Sequence, residues 1–166
     1  MNTEYTLKNF LPLVTIVTII LLFTAARQLY AGFNTTDAML DFMAGFFIVF
    51  GAFKIINLPG FAMAYQEYDL IAKHFSLYAY AYPFIEVALG LCYLFRYQVT
   101  IANWITLFLM IIGSASVALE LSKGRQIMCA CLGAVFKIPM TYVTLVEDLI
   151  MGLMALLMII FGSSYP

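Results

Sequence analysis

Five long runs of apolar residues, each ended by a short polar stretch, make up most of the chain. They cover residues 10–30, 39–58, 76–95, 101–121 and 141–161. A helix needs about 20 largely apolar residues to cross a hydrocarbon core of about 30 Å, and the runs reach that length. Helices suit them because every backbone N–H and C=O group must find a partner inside lipid. We therefore expect an all-α, polytopic transmembrane helix bundle that forms one integral membrane domain over residues 1–166.

Two connections between these runs are longer than the rest. Segment 60–75 follows a helix break expected at Pro59-Gly60, and its pattern is amphipathic, which favours an interfacial helix. Its apolar face would hold Phe61, Tyr65, Tyr68, Ile71 and Ala72. The second connection, 122–140, contains two cysteines and three positive charges. We call it the Cys-bearing loop.

Composition excludes a soluble domain. Hydrophobic residues make up 64% of the chain and charged residues only 10%, against about 45–50% and about 25% in soluble domains. The lipid bilayer is therefore the expected surrounding. A formal net charge of −1 gives no reason to expect nucleic acid as a partner. Three cysteines, an odd number, exclude a fully paired disulfide framework.

The basic residues predict which way the spans cross the membrane. With five spans, one end of the bundle carries Lys8, Lys54, Lys73, Lys123, Arg125 and Lys137, and the other carries Arg27 and Arg96. Because positive charge concentrates in cytoplasmic loops, we expect the N-terminus and the Cys-bearing loop in the cytoplasm. Within the first run, the uninterrupted apolar stretch 10–26 exceeds the usual length of a signal-peptide core and is followed at once by Arg27, so we expect the run to be retained as a span.

The strongest local motif is the C-x-C pair Cys129-Ala130-Cys131. Two thiols at this spacing can chelate a soft cation such as Cu(I) or Hg(II), with Met128 as a further ligand. They can also close a small, strained and exchangeable disulfide ring. Arg125 just before the pair would favour the thiolate. The spacing does not separate redox work from metal binding, and two small apolar residues near the interface remain a third interpretation.

A second signal is a set of ionisable residues at membrane depth. Glu86 lies near the middle of its span, Lys54 lies near a span end, and Glu147 and Asp148 lie several residues into the last span. Such residues cost several kcal/mol when they face lipid unpaired, so they normally face the bundle interior. We expect Lys54 to pair with Glu86 or Glu147. The set indicates an ion or proton site, acid–base support for the thiols, or a structural ion pair that fixes helix register.

Other soft ligands are scattered along the spans. Met151, Met154 and Met158 fall at i, i+3 and i+7, so one helix face carries three thioethers. This spacing is typical of a Cu(I) path and equally of ordinary packing. Cys92 lies alone in an apolar span. It would be a third soft ligand only if the Cys-bearing loop folded back into the bundle.

Two segments resemble the MauE/DoxX family of redox-associated membrane proteins. They are residues 42–94 and 124–156. The matching positions are Lys54, Tyr68-Asp69, Pro83, Glu86, Cys129, Cys131, Leu132 and Gly133. The resemblance implies a four-helix DoxX-like core with an extra N-terminal transmembrane helix, in a bacterial inner membrane.

The resemblance also implies a link to redox chemistry. Some members accompany the maturation of disulfide-rich methylamine dehydrogenase, and others are tied to thiol or quinone oxidation. The central segment is most similar to relatives that join this core to a heavy-metal-associated domain, and no such domain is present in this sequence.

Three functions stay open. The leading hypothesis is a membrane thiol protein whose C-x-C pair exchanges electrons or disulfides with a thiol protein or a quinone. Its expected catalytic residues are Cys129, Cys131, Arg125, Lys54, Glu86 and Glu147. The second is a soft-metal binder or transporter served by a metal chaperone, with Cys129, Cys131 and Met128 as ligands. The third is a non-catalytic assembly factor. A homo-oligomer is compatible with all three.

Overall fold

A computed structural model describes residues 11–123, 128–129, 138–139 and 142–161. Within these ranges the chain forms six helices and one pair of two-residue strands. The elements are α1 (Leu11–Ala31), α2 (Thr35–Ile56), α3 (Leu58–Tyr68), α4 (Ser76–Leu94), α5 (Val99–Ser122), β1 (Met128–Cys129), β2 (Ile138–Pro139) and α6 (Tyr142–Phe161). The strands pair antiparallel, with Cys129 opposite Ile138.

The expected helical membrane bundle is confirmed. By length and composition, α1, α2, α4 and α5 are each able to cross a membrane. The 20-residue helix α6 lies where the fifth apolar run was found. α2, α4, α5 and α6 form the core, in which α2 packs on α4 and α5 packs on α6. α1 packs on α2 and is the least buried of the four candidate spans.

The bundle has two ends, which the direction of the helices defines. α2 and α5 finish and α4 and α6 begin at one end, where the Cys-bearing loop also lies. We call it the loop-side end. α1 and α4 finish and α2 and α5 begin at the other, which we call the far end. The start of α1 therefore lies at the loop-side end, together with the loop.

Helix α2 begins at Thr35, four residues before the expected start of its span. Asn34 precedes it, and the side-chain oxygen accepts hydrogen bonds from the backbone N–H groups of Thr36 and Asp37 at 2.9 and 3.4 Å. This capping satisfies two donors that have no partner within the helix. The sequence pattern instead predicts that this polar first turn belongs to the preceding loop. As a result Asp37 lies in the first turn of the helix and Asp41 lies one turn further in.

The break between α2 and α3 lies at Asn57, so the break expected at Pro59-Gly60 was wrong. The Asn57 side chain caps α3 by accepting a hydrogen bond from the N–H of Gly60 at 3.3 Å. Pro59 lies in the first turn of α3. A proline fits there because its missing N–H would have had no partner within the helix.

Close contact between α2 and α4 depends on a glycine. A Cβ atom added at Gly51 would lie 2.7 Å from Cγ2 of Val87. Small residues at such contacts let two helix backbones approach in a membrane. Because Lys54 is one turn after Gly51, and Glu86 directly precedes Val87, this contact brings a lysine of α2 beside a glutamate of α4.

Candidate functional site

A buried ion pair lies near the loop-side end. Nζ of Lys54 lies 2.5 Å from Oε1 of Glu86, and the two side chains are 8% and 3% exposed. Of the two pairings expected for Lys54, this is the one that forms. Removal of either partner would strongly destabilise the protein, because the remaining charge would be left uncompensated in a medium of low dielectric constant.

Aromatic side chains surround the Lys54 ammonium group. Nζ lies 5.6 Å from the centre of the Phe61 ring and 5.1 Å from that of Tyr82, distances at which a cation is attracted to the ring face. Tyr65 stacks on Phe61 with 5.1 Å between ring centres. Burial raises the pKa of Tyr65 well above its ordinary value, so its hydroxyl stays a neutral hydrogen-bond donor. The predicted apolar face of α3 therefore packs inward and encloses the lysine.

Helix α6 adds two carboxyl groups to the same place. Glu147 and Asp148 both line a cavity of about 40 Å³ together with Lys54 and Glu86. Its remaining wall consists of Phe46, Phe50, Phe61, Tyr65, Tyr68, Tyr82, Met110, Gly113 and Val117. A space of this size has room for roughly two or three water molecules. We call it the loop-side cavity.

The sequence predicts Asp148 as an ionisable residue at membrane depth, but it does not predict Asp148 as a site residue. A Cβ atom added at Gly113 of α5 would lie 3.0 Å from Oδ2 of Asp148, so the glycine makes room for the carboxyl group. Within the described residues, neither Glu147 nor Asp148 has a basic nitrogen within 4.0 Å. These two acids therefore share the charge of a lysine that is already paired with Glu86.

The exit of α3 is fixed to α5 by the buried Asp69. One carboxylate oxygen accepts hydrogen bonds from the N–H groups of Ile71 and Ala72 at 2.9 and 2.8 Å. The hydroxyl of Ser116 lies 3.4 Å from the other oxygen. Tyr68 and Asp69 are positions that match the resembled family. The contacts of Asp69 thus fix the end of α3, the helix that contributes tyrosines to the cavity wall.

Nearby, the buried Glu120 lies close to two lysines. Nζ of Lys73 and Nζ of Lys123 each lie 3.0 Å from Oε1 of Glu120. Glu120 therefore ties the turn after α3 to the end of α5, where the chain enters the Cys-bearing loop.

The first residues of the C-x-C region lie close to this site. The strand β1, which contains Met128 and Cys129, lies beside α3. The structure describes only the backbone of these two residues. Cys131 and Arg125 lie outside the described residues.

The other candidate soft ligands lie elsewhere. Cys92 is partly buried and near the far end of α4, so the bundle separates it from the Cys-bearing loop. Met151 and Met158 are buried in the core, and Met154 packs against it. Within the described residues, no group of three or more His, Cys, Asp and Glu side chains is arranged to hold a metal ion.

A second charged cluster, which the sequence analysis missed, lies at the far end. The buried carboxylate of Asp41 accepts hydrogen bonds from Arg96 at 2.6 Å and from the Gln28 amide at 3.4 Å, and it forms an ion pair with Arg27 at 3.2 Å. Arg96 also lies 3.6 Å from Asp37. The pair Asp37 and Asp41, four residues apart on one helix, is the signal that would have indicated it. We call these five residues the far-end cluster.

Comparison with known proteins gives one match. No curated protein and no solved structure matches the chain. The family model described as "Methylamine utilisation protein MauE" matches residues 33–161. This range begins after α1 and includes α2 to α6, so the match contains the whole four-helix core, the loop-side cavity and the C-x-C motif. On this match over most of its length, the chain belongs to the MauE family.

Proposed function

We propose that this protein is the thiol-exchange component of a membrane redox system, with Cys129 and Cys131 as the reacting pair. The observation that carries the proposal is the position of β1. The strand that contains Cys129 lies beside α3, and α3 also forms one wall of the loop-side cavity. A thiol motif and a buried charged site therefore lie at the same end of one bundle, in a chain of the MauE family.

The exchange is a two-step reaction. One thiolate of the pair attacks a disulfide of a partner protein, forms a mixed disulfide and releases one partner thiolate. The second cysteine then attacks the mixed disulfide, closes the C-x-C ring and releases the second partner thiol. Two electrons pass from the pair to the partner, and two thiols are made for the two that are consumed. In the reverse direction a partner dithiol reduces the C-x-C disulfide, and the reduced pair then passes two electrons and two protons to a membrane quinone, which becomes a quinol while the disulfide forms again.

The charged residues would support this chemistry by position. Arg125 stands four residues before Cys129 in the sequence, where a positive charge favours the thiolate. Lys54, Glu86 and Glu147 lie in the cavity wall behind α3 and would set the local charge. The same arrangement supports the assignment of the loop to the cytoplasmic side of a bacterial inner membrane, because the basic residues concentrate at that end.

The test is disulfide exchange by the full chain in detergent. The reduced protein is mixed with glutathione disulfide, and released glutathione and remaining protein thiols are counted. Wild-type protein should release two glutathione molecules per pair. Neither Cys129→Ser nor Cys131→Ser can close the ring, so we expect the variant that keeps the attacking cysteine to stop at the mixed disulfide, with one glutathione released, and the other variant to lose exchange by at least tenfold. The matched control is Cys92→Ser, which removes the cysteine at the other end of the bundle and should leave the rate unchanged. Full activity in both loop variants would overturn the proposal.

A titration of the same reduced samples with Cu(I) separates the two rival functions. The proposal predicts no stoichiometric Cu(I) binding that depends on the pair. One Cu(I) bound per C-x-C pair, with the thiols then protected from air, would replace thiol exchange by metal handling. A protein that neither exchanges disulfides nor binds Cu(I), but co-purifies with one stoichiometric partner in the double serine variant, would be an assembly factor.

A further inference from the structure

The loop-side cavity contains more acid than base. One ammonium group, that of Lys54, faces the carboxyl groups of Glu86, Glu147 and Asp148. α3 adds the phenols of Tyr65 and Tyr68, and α4 adds that of Tyr82. α5 contributes Met110, Gly113 and Val117, which do not titrate. Asp69, which follows α3 and contacts Ser116 of α5, is a further carboxylate close enough to repel a charge on Asp148. If all three carboxyl groups were ionised, the described wall would have a net charge of −2.

A net charge of this size is costly at membrane depth. An unpaired ionised side chain within the hydrocarbon region of a bilayer is costly and normally finds a partner or loses its charge. Two neighbouring carboxylates also repel one another. Protonation of one carboxylate lowers this cost, because the resulting carboxylic acid is neutral.

A second observation, independent of the charge count, comes from the unused oxygen of Glu86. Its Oε1 receives the Lys54 hydrogen bond, but Oε2 is buried and has no hydrogen-bond partner among the described residues. Glu86 lines the loop-side cavity, which has room for water. A buried acceptor beside such a space is well placed to bind a water molecule or a protonated carboxyl group.

Asp148 also lines a second space. It lies with Ser114 in an otherwise apolar groove between α5 and α6, whose wall includes Ile111, Leu149 and Leu153. These three side chains are about half exposed or more and face outward. A carboxylate that borders both a polar cavity and an apolar surface is even more costly to keep charged.

We propose that the loop-side cavity is a proton-binding site in which the neighbouring carboxyl groups of Glu147 and Asp148 hold a transferable proton. Lys54 and Glu86 neutralise one another, and the proton neutralises part of the remaining charge. Because the cavity has room for water and is partly open, the proton exchanges with the loop-side end. The site does not depend on thiol chemistry, so it stands or falls separately from the exchange reaction.

Infrared spectroscopy of the reconstituted full chain tests this directly. A neutral carboxylic acid gives a C=O band that ionised carboxylates lack. We expect the wild-type protein to show this band at neutral pH, to lose it in alkaline buffer, and to shift it in D₂O within minutes. Wild-type protein alone therefore decides whether an exchangeable proton is present.

Variants then assign the proton. Glu147→Gln and Asp148→Asn should each weaken the band, and the double variant should abolish it. Glu67→Gln, which replaces an exposed glutamate of α3, is the matched control and should leave it unchanged. Cys129→Ser should also keep the band, which separates this site from the exchange reaction.

Four outcomes would overturn the proposal. These are the absence of the band at neutral pH, a band that does not exchange in D₂O, and its survival in the double variant, which would place the proton on Glu86. The fourth is a band that disappears when Na⁺ replaces choline in the buffer, since the site would then bind a metal cation in preference to a proton.

If the double variant fails to fold, Gly113→Ala with Gly152→Ala as control serves instead. Both add a methyl group to the α5–α6 contact, but only the first lies beside the Asp148 carboxyl group, and the second meets Met110. We expect the band to shift in the first variant only. An equal band in both would contradict the assignment to Asp148.

Discussion

At the loop-side end one lysine faces three carboxyl groups, whereas at the far end one fully buried aspartate is held between two arginines. Each cluster is centred on one buried charged residue, and the two central charges have opposite signs. Lys54 is at the centre of the first cluster, and Asp41 is at the centre of the second. At the far end the carboxylate is satisfied, because Asp41 receives hydrogen bonds from Gln28 and Arg96 and forms an ion pair with Arg27.

This difference indicates that the far-end cluster is structural, whereas the loop-side cluster is suited to chemistry. The far-end cluster ties α1, α2 and the end of α4 together, and the charges of its two aspartates and two arginines cancel. The loop-side cluster keeps an unsatisfied carboxylate oxygen, an excess of acid and space for water. Networks with all partners satisfied stabilise a fold, while partly satisfied ones at membrane depth indicate function. In both clusters, removal of the buried central charge should cost the most.

The largest effect is expected for Lys54→Met. This change leaves three carboxyl groups without a cation and should lower the free energy of unfolding by about 3–5 kcal/mol. The added change Glu86→Gln should restore about 1–2 kcal/mol, because the two positions are coupled. Unfolding in mixed detergent micelles, followed by circular dichroism, measures both.

The single variant Glu86→Gln is the control, and it completes a double-mutant cycle with Lys54→Met and the double variant. Its loss should be smaller than that of Lys54→Met, because Glu147 and Asp148 remain to balance the lysine. Equal losses in the two single variants would show that Lys54 and Glu86 form an isolated pair, and the comparison of the two clusters would fail.

Asp41→Ala should have the next largest effect. Arg27 and Arg96 lose their shared partner, but they are 43% and 20% exposed and Asp37 remains near Arg96. We therefore expect a loss of about 2–3 kcal/mol in the same unfolding experiment. The rate of disulfide exchange per folded molecule should not change, because the far-end cluster lies across the bundle from the C-x-C motif. A loss of exchange at unchanged stability would give the far end a functional role.

The sequence predicts the bundle well because its signals are local. Lipid demands long apolar helices, so the spans follow from composition and length alone. The inward position of Lys54 and Glu86 follows from the cost of unpaired charge. The choice of Glu86 over Glu147 does not, because it depends on the contact of Gly51 with Val87, which joins α2 to α4.

The remaining site residues could not be predicted because they depend on packing between distant segments. Asp41 receives hydrogen bonds from residues 13 and 55 positions away in the chain. The sequence predicts that Glu147 and Asp148 face the bundle interior, but neighbouring residues of a helix point about 100° apart, so the pattern alone does not predict that both line one cavity. They do because α6 lies against Gly113, where no side chain separates Asp148 from the cavity.

The smallest effect is expected for Arg27→Gln, which removes a peripheral charge from the far-end cluster. Asp41 keeps its shorter contact with Arg96 and its hydrogen bond from Gln28, and the Arg27 side chain is 43% exposed. We therefore expect a loss within about 1 kcal/mol, as for most solvent-exposed ion pairs. Arg96→Gln removes the more buried arginine and should cost more. If Arg27→Gln proved as costly as Asp41→Ala, the attachment of α1 to α2 through Arg27, rather than the balance of charge, would determine the stability of this end of the bundle.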